Sequence, residues 1–156
     1  MNSLNAEHDE SALADERVIE WLEAQVESLH GQARMLVDDY WRRVNLERKK
    51  HPASLRGRMG VRIRRRESAY SFTIEWFLIA SLSIDGHTKP VTQHIKKGKG
   101  YRYPLQHILK KEPDWEVSLV EEFENEFVDL RKQIDLLGKF RDAFHRCRQR
   151  LREGLD

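Results

Sequence analysis

The chain has 156 residues, of which 35% are charged and 9% are aromatic. This length suits one domain with a single modest core, and the aromatic content argues against a disordered chain. The longest apolar run, residues 76–80, is far shorter than the roughly 20 residues that a membrane-spanning helix needs. Residues 1–20 lack the apolar centre of a signal peptide. We therefore expect a cytoplasmic protein without a membrane partner.

Charge is distributed very unevenly along the chain. Residues 1–41 contain 2 Lys/Arg against 10 Asp/Glu, residues 42–111 contain 18 against 4, and residues 112–156 contain 8 against 12. The net charge of +2 therefore conceals a strongly basic middle section. Because such a section creates a local positive field, a polyanion such as nucleic acid is its natural partner.

The N-terminal third predicts a flexible acidic tail over residues 1–12 and a long helix over residues 13–48. Within the helix, apolar side chains recur in steps of three and four, which places them on one stripe. They are Val18, Leu22, Val26, Leu29, Ala33, Leu36, Tyr40 and Val44. Gly31 weakens this helix by about 1 kcal/mol and is the place where a bend is expected. Pro52 ends the pattern.

Residues 58–104 predict a small, basic, antiparallel sheet of about three strands. In residues 60–66, apolar and arginine residues alternate, which indicates a short strand with one basic face. In residues 70–84, every second residue is apolar, which predicts a long strand with a bulge or bend near residues 77–79. Asp85 and Gly86 indicate a tight hairpin into a strand over residues 88–96, where Pro90 favours an edge position.

The C-terminal part predicts a flexible basic loop over residues 96–104, a short helix over residues 105–111 and a long helix over residues 114–152. Asp114 is the expected N-terminal cap. The apolar stripe of the long helix averages about 3.6 residues per step, at Leu119, Phe123, Phe127, Leu130, Ile134, Leu137, Phe140, Phe144, Cys147 and Leu151. We predict an α+β fold, with residues 13–156 forming one domain in which both helix stripes are buried. Core packing is also expected for Trp21, Trp41, Trp76 and Trp115.

The sequence offers no motif that supports catalysis. It contains no P-loop, no GxSxG, no HExxH and no CxxC, and no two of its seven histidines are spaced i, i+4 on a helix. The single cysteine, Cys147, falls in the C-terminal apolar stripe and is interpreted as a core residue. We therefore predict a protein that is not an enzyme, has no metal site and needs no cofactor.

Two basic clusters are the candidate nucleic-acid-binding residues. The first contains Arg56, Arg58, Arg62, Arg64, Arg65 and Arg66. On a strand, Arg62, Arg64 and Arg66 project from one face over roughly 13 Å, and each guanidinium can donate two hydrogen bonds to a phosphate. The second contains Lys96, Lys97, Lys99, Tyr101, Arg102 and Tyr103, where tyrosines can stack on bases. The alternatives are a solubilising surface, neutralised by the acidic helices, and an ordinary mobile loop.

Five segments carry a family resemblance through their order and spacing: VDDYWRRV (37–44), RMGVRIRRR (58–66), YSFTIEWF (70–77), IKKGKGYRY (95–103) and DWE (114–116). Together they resemble MobI-like conjugative transfer proteins of plasmids and integrative conjugative elements, over residues 17–151. The resemblance implies an accessory mobilisation factor that recognises the origin of transfer and assists a relaxase, which nicks the DNA there. The chain lacks the His-hydrophobic-His pair that is expected of a typical metal-dependent relaxase. The resemblance supplies no catalytic residues.

Three functions stay open from the sequence. The first is binding of double-stranded DNA through the two basic clusters, with a relaxase or another transfer protein as a further partner. The second is a helical interaction scaffold, in which the C-terminal stripe pairs with a second copy of the chain or with another protein. The third is RNA binding through the tyrosines.

Overall fold

The computed structural model describes residues 2–65 and 70–154. Its elements are helix α1 (Asn2–Lys50), a short 3-10 helix (Ala53–Leu55), strands β1 (Met59–Arg65), β2 (Phe72–Ile84) and β3 (His87–His94), the short helix α2 (Gln106–Leu109) and helix α3 (Asp114–Glu153). This order of long helix, three-stranded antiparallel sheet and long helix confirms the predicted α+β fold. Within the described ranges, no helix is both long and apolar enough to cross a membrane.

The starts of the two long helices differ from the sequence prediction in the extent of α1 and in the cap of α3. Helix α1 already begins at Asn2, so residues 2–12 of the segment that we predicted to be a flexible acidic tail (residues 1–12) are helical. Its acidic start has a basic neighbour, because Asp15 forms a 2.9 Å ion pair with Arg148 near the end of α3. Helix α3 is preceded by Pro113, and no side chain caps it. Asp114 is the first helical residue and not the cap that we predicted.

Strand β2 is the centre of the sheet and is shared by two partners. Its first half pairs with β1, from Phe72 opposite Arg65 to Leu78 opposite Met59. Its second half pairs with β3, from Phe77 opposite His94 onwards. Both registers are continuous, so of the bulge or bend that we predicted near residues 77–79, a bulge is excluded. Both faces are apolar there because the ring of Trp41, from α1, covers Phe77 with 6.2 Å between ring centroids.

The turn between β2 and β3 confirms the hairpin prediction. Asp85 and Gly86 have φ values of 50° and 77°, which a two-residue hairpin turn of this hand requires. Strand β3 lies at one edge of the sheet, as predicted from Pro90. Residues 81–94 of the hairpin are exposed on both faces. They form a two-stranded ribbon, hereafter the ribbon, that extends beyond the core.

The core lies between the sheet and the two long helices. On the helix-facing side of β2, Phe72, Ile74, Trp76 and Leu78 are buried. Trp76 packs edge-on against Tyr40 of α1 and Phe127 of α3. We call this side of the sheet the helix face and the opposite side the outer face.

The apolar stripe of α3 is buried only in its first half. Leu119, Phe123, Phe127 and Leu130 belong to the core, whereas Phe140, Cys147 and Leu151 are exposed. The steps from Ile134 to Leu137 and from Leu137 to Phe140 are both three residues long. Each of these steps turns the stripe by about 60° around the helix, so the second half faces a different direction.

Two predictions of burial are wrong in the parts of α1 and α3 that lie farthest from the sheet. Cys147 is exposed and is not a core residue. Trp21 of α1 is also exposed, with its ring edge-on against the ring of Phe140. The predicted core packing is confirmed for Trp76, which is fully buried, and for Trp41 and Trp115, which pack against the core.

Candidate nucleic-acid interface

Arg62 and Arg64 lie next to each other on the outer face of the sheet. The alternation of a strand puts Met59 and Val61 into the core, so the intervening residues of β1 face outward. Gly60 is the first of them, and a Cβ atom there would lie 2.5 Å from the ring of Phe77. The outer face is therefore closely packed at the start of β1 and basic from Arg62 onwards.

One carboxylate forms ion pairs with both of these arginines. Glu75 of β2 lies opposite Arg62 in the register, and its Oε2 atom is 3.3 Å from Nε of Arg62 and 3.6 Å from Nε of Arg64. The guanidinium of Arg62 also lies 5.2 Å from the ring centroid of Phe77. The side chain of Glu75 is only 13% exposed. One carboxylate cannot neutralise two guanidinium groups, so this face keeps a positive charge in a fixed position.

The other arginines of the first cluster do not share that face. Arg65 contacts Glu27 of α1, and its hydrogen bond lowers the pKa of that carboxyl group. Arg58 forms a 2.8 Å ion pair with Glu112, and Arg56 is exposed after the 3-10 helix. Arg66 lies outside the described residues. Carboxylates of the same chain therefore neutralise Arg58 and Arg65. The arginines of the first cluster do not form a single surface.

Two glutamates that the sequence analysis missed fix the start of β1. The backbone N–H of Arg58 donates to Oε1 of Glu116 and to Oε2 of Glu112, both at 3.0 Å, and the N–H of Met59 also donates to Glu116. Burial, together with a hydrogen bond to Glu112, raises the pKa of Glu116 to about 8. Glu116 resembles any other charge in the first turn of a helix, so the sequence gives no signal of this role.

The loop of the second cluster is tied to α3. The hydroxyl of Tyr101 donates to Asp135 at 2.5 Å, Arg102 donates to Asn125 at 2.9 Å, and the N–H of Tyr103 donates to Glu124 at 2.8 Å. The Asp135 carboxylate raises the pKa of Tyr101. The loop thus has a defined position, in contrast to the flexible loop that we predicted.

The lysines of this loop differ in exposure and in hydrogen bonding. Lys96 and Lys99 are exposed, whereas Lys97 is half-buried and donates to the carbonyl oxygens of Gly98 and Gly100 within the loop. Arg102 is exposed as well. The loop therefore offers Lys96, Lys99 and Arg102 to a ligand, while Lys97 stabilises the loop itself.

Tyr103 is buried, which corrects its predicted role in base stacking. Its ring lies under the guanidinium of Arg131, 4.8 Å from the ring centroid. Arg131 also forms a buried 2.8 Å ion pair with Glu124 and donates to the carbonyl oxygen of Ile74 in β2. These two charges were missed because they look like ordinary helix surface residues. The available signal is their seven-residue spacing beside the apolar stripe.

The two clusters lie on either side of β2. A cleft of about 470 Å³ separates the first half of β2 from the loop, and Thr73, Glu75, Lys97, Lys99 and Asp135 are among its lining residues. Strand β1, with Arg62 and Arg64, pairs with the other edge of β2. Glu75 therefore borders both clusters, which are neighbours across one strand.

Comparison with known proteins identifies a protein family. No curated protein and no solved structure matches the chain. The model of the MobI protein family matches residues 29–145, which include the C-terminal part of α1, the sheet, the basic loop and most of α3. The chain therefore belongs to the MobI family of conjugative mobilisation proteins.

Proposed function

We propose that this protein is a non-catalytic DNA-binding accessory factor of conjugative transfer, which recognises the origin of transfer in the cytoplasm and assists the relaxase. Membership of the MobI family indicates that the process is conjugative mobilisation. The observation that carries the DNA-binding part is the position of Arg62 and Arg64 on the outer face with only one carboxylate between them. Lys99, which lines the cleft beside Glu75 on the other side of β2, extends the positive surface.

The arginine pair is suited to phosphate. Both guanidinium groups are charged at all physiological pH values and have donors that are not used by Glu75. Contacts of this kind position a protein on the duplex and provide most of its salt-dependent affinity, but they do not read the sequence. A second element must therefore supply recognition of a particular site.

The ribbon supports duplex DNA as the ligand and offers that second element. Its outer face continues the face of Arg62 and Arg64, and it carries the hydroxyl groups of Ser81, Ser83, Thr88 and Thr92. The major groove of B-form DNA, about 12 Å wide, admits a two-stranded ribbon, and Ser and Thr can contact base edges there. The major groove of A-form RNA is too narrow for side chains to read. The burial of Tyr103 also weakens the RNA alternative, which relied on stacking.

Fluorescence anisotropy tests this proposal. A labelled duplex from the transfer origin of the element that encodes the protein and a scrambled duplex are titrated across a salt series. We expect tight, salt-dependent binding that favours the origin. In the Arg62→Ala/Arg64→Ala variant, the slope of log affinity against log salt should fall by about 2 if each arginine contacts one phosphate.

The matched control is Arg34→Ala/Lys132→Ala, which removes two exposed basic residues of α1 and α3 that lie outside both basic clusters. It should leave the slope close to that of the wild type. An unchanged slope in the Arg62/Arg64 variant would exclude that face. Absence of binding to either duplex at low salt would refute the DNA-binding function and favour the scaffold alternative, which the exposed stripe of α3 supports.

A further inference from the structure

The ends of α1 and α3 that lie farthest from the sheet form a two-helix stalk, which we define as residues 6–23 of α1 and 137–153 of α3. Residues 6–21 and 132–154 contain no fully buried side chain. The two helices contact each other through Trp21 and Phe140, with 5.9 Å between ring centroids, and through Asp15 and Arg148. Two helices alone cannot cover apolar side chains on more than the side where they meet.

One side of the stalk carries an apolar stripe that is only partly covered, since Leu137 packs against the core and Phe144 is half-buried. Leu137, Phe140, Phe144, Cys147 and Leu151 follow one another in alternating steps of three and four residues, which is the spacing of helices that pack on other helices. Phe140 is 48% exposed and Leu151 is 66% exposed, and Trp21 of α1 is 51% exposed beside Phe140. The stripe and Trp21 form one continuous apolar face.

This face points away from the sheet. Arg131 contacts β2 through the carbonyl oxygen of Ile74, and it precedes Phe140 by nine residues. Nine residues at about 100° each place the two side chains on opposite sides of α3. The sheet of the same chain therefore leaves this face open, and its ribbon and loop do not obstruct a partner there.

The charges of the two helices are complementary. Residues 6–23 of α1 contain seven acidic residues and one basic residue, whereas residues 139–153 of α3 contain six basic residues and two acidic residues. A partner that places a basic helix beside α1 and an acidic helix beside α3 therefore neutralises the charges of both helices. A second copy of this chain has these two helices in the required antiparallel arrangement.

We infer that two copies pack through this face into an antiparallel four-helix bundle, with the two-fold axis running along the stalk. In this arrangement α1 of one copy lies beside α3 of the other, and the reverse contact is equivalent by symmetry. A two-fold axis across the stalk would instead place acidic α1 against acidic α1 of the second copy. The charges therefore select the first arrangement, in which both sheets lie at the same end of the bundle.

Sedimentation velocity at micromolar concentrations tests the association. Leu136 lies four residues, about one helical turn, before Phe140 and therefore borders the same face. We expect the wild type to sediment as a dimer and the Leu136→Glu/Leu151→Glu variant as a monomer. Both leucines are largely exposed in the single chain, at 63% and 66%, so the folded monomer tolerates the change. The control is Met35→Glu, which alters a residue of α1 outside the stalk that is 75% exposed and should stay dimeric.

A monomeric wild type, or a dimer that survives Leu136→Glu/Leu151→Glu with an unchanged circular dichroism spectrum, would overturn the inference. Neither result depends on DNA, so failure here and failure of the proposed function are distinguishable.

The orientation has its own test. A spin label is attached at Ser118→Cys, an exposed position near the start of α3, in a Cys147→Ser background. An axis along the stalk places the two labels at the same end, within about 50 Å. An axis across the middle of the stalk separates them by about 80 Å, since roughly 27 residues of helix lie between label and axis on each side. A distance near 80 Å would overturn the orientation.

Discussion

Glu124 and Arg131, one beside the other on α3, form a buried ion pair that connects three parts of the fold. Glu124 accepts from Trp76 of β2 at 2.6 Å and from the backbone of Tyr103, while Arg131 donates to the carbonyl oxygens of Tyr101 and Ile74. The pair thus determines how the basic loop lies against the strand that carries Glu75.

Removing one partner of this pair should destabilise the protein strongly. We expect Arg131→Met to lower the free energy of unfolding by about 3–5 kcal/mol, because Glu124 is left as an uncompensated buried charge. Urea unfolding followed by circular dichroism measures the change. Lys132→Met, at the exposed neighbouring position, should have an effect within about 0.5 kcal/mol. Equal effects of the two variants would contradict the role of the pair.

The stability of the protein should depend on pH through Glu116. The pKa of this carboxyl group rises from an ordinary value of 4.5 to about 8 in the folded protein. Between these values the folded chain binds one proton more than the unfolded chain. The free energy of unfolding therefore falls as the pH rises, by at most about 1.4 kcal/mol per pH unit.

Thermal or urea unfolding from pH 5 to pH 9 measures this dependence. Glu116→Gln, which mimics the protonated group, should flatten the decline across this interval, whereas Glu121→Gln at an exposed position should keep it. A Glu116→Gln variant with the pH profile of the wild type would show that another group is responsible.

Two glycines should respond in opposite directions to the same substitution. Gly57 has a φ of +72°, and a Cβ atom there would lie 1.6 Å from Oε2 of Glu116. Gly57→Ala should therefore cost more than about 1 kcal/mol of stability. Gly31 lies within α1 with no atom within 4 Å of a Cβ, so Gly31→Ala should add up to about 1 kcal/mol. Chemical denaturation of both variants provides the comparison, and a gain in stability from Gly57→Ala would be the contrary result.

Glu75 should reduce the affinity of the proposed interface for DNA. Glu75→Gln leaves the shape of the outer face nearly unchanged but frees the guanidinium groups of Arg62 and Arg64. We expect tighter binding to any duplex at low salt and a steeper dependence on salt. Anisotropy with the scrambled duplex measures this effect, with Glu121→Gln as a control of equal charge. Weaker binding would instead mean that Glu75 orients the arginines productively.

The two faces of the ribbon should contribute differently to site recognition. Ser81→Ala/Ser83→Ala/Thr88→Ala removes hydroxyl groups from the outer face and should reduce the preference for the origin over the scrambled duplex. Leu82→Ser/Ile84→Ser changes the helix face of the same ribbon and should preserve that preference. Competition between the two duplexes gives the ratio. The opposite pattern would mean that the apolar face contacts the DNA.

Local patterns were sufficient to predict much of the fold. The Asp85-Gly86 turn depends on the conformation of two residues, and the direction of Arg62 and Arg64 depends only on the alternation within a strand. How far along α3 the apolar stripe is buried could not be predicted. Periodicity gives the side of a helix on which apolar residues lie but not what covers them. The roles of Glu116, Glu124 and Arg131 likewise depend on neighbours that are 21 to 58 residues away in the chain.

Strand β2 combines two levels of stability in one continuous strand. Its amides before Phe77 lie in the core and should exchange with solvent only when the whole protein unfolds. Those after Ser81 lie in a solvated hairpin that can open and close while the core stays intact. A partner that binds the ribbon therefore acts on this local opening equilibrium and slows exchange there first. Hydrogen-exchange protection along β2 would consequently report occupancy of the ribbon without any label on the partner.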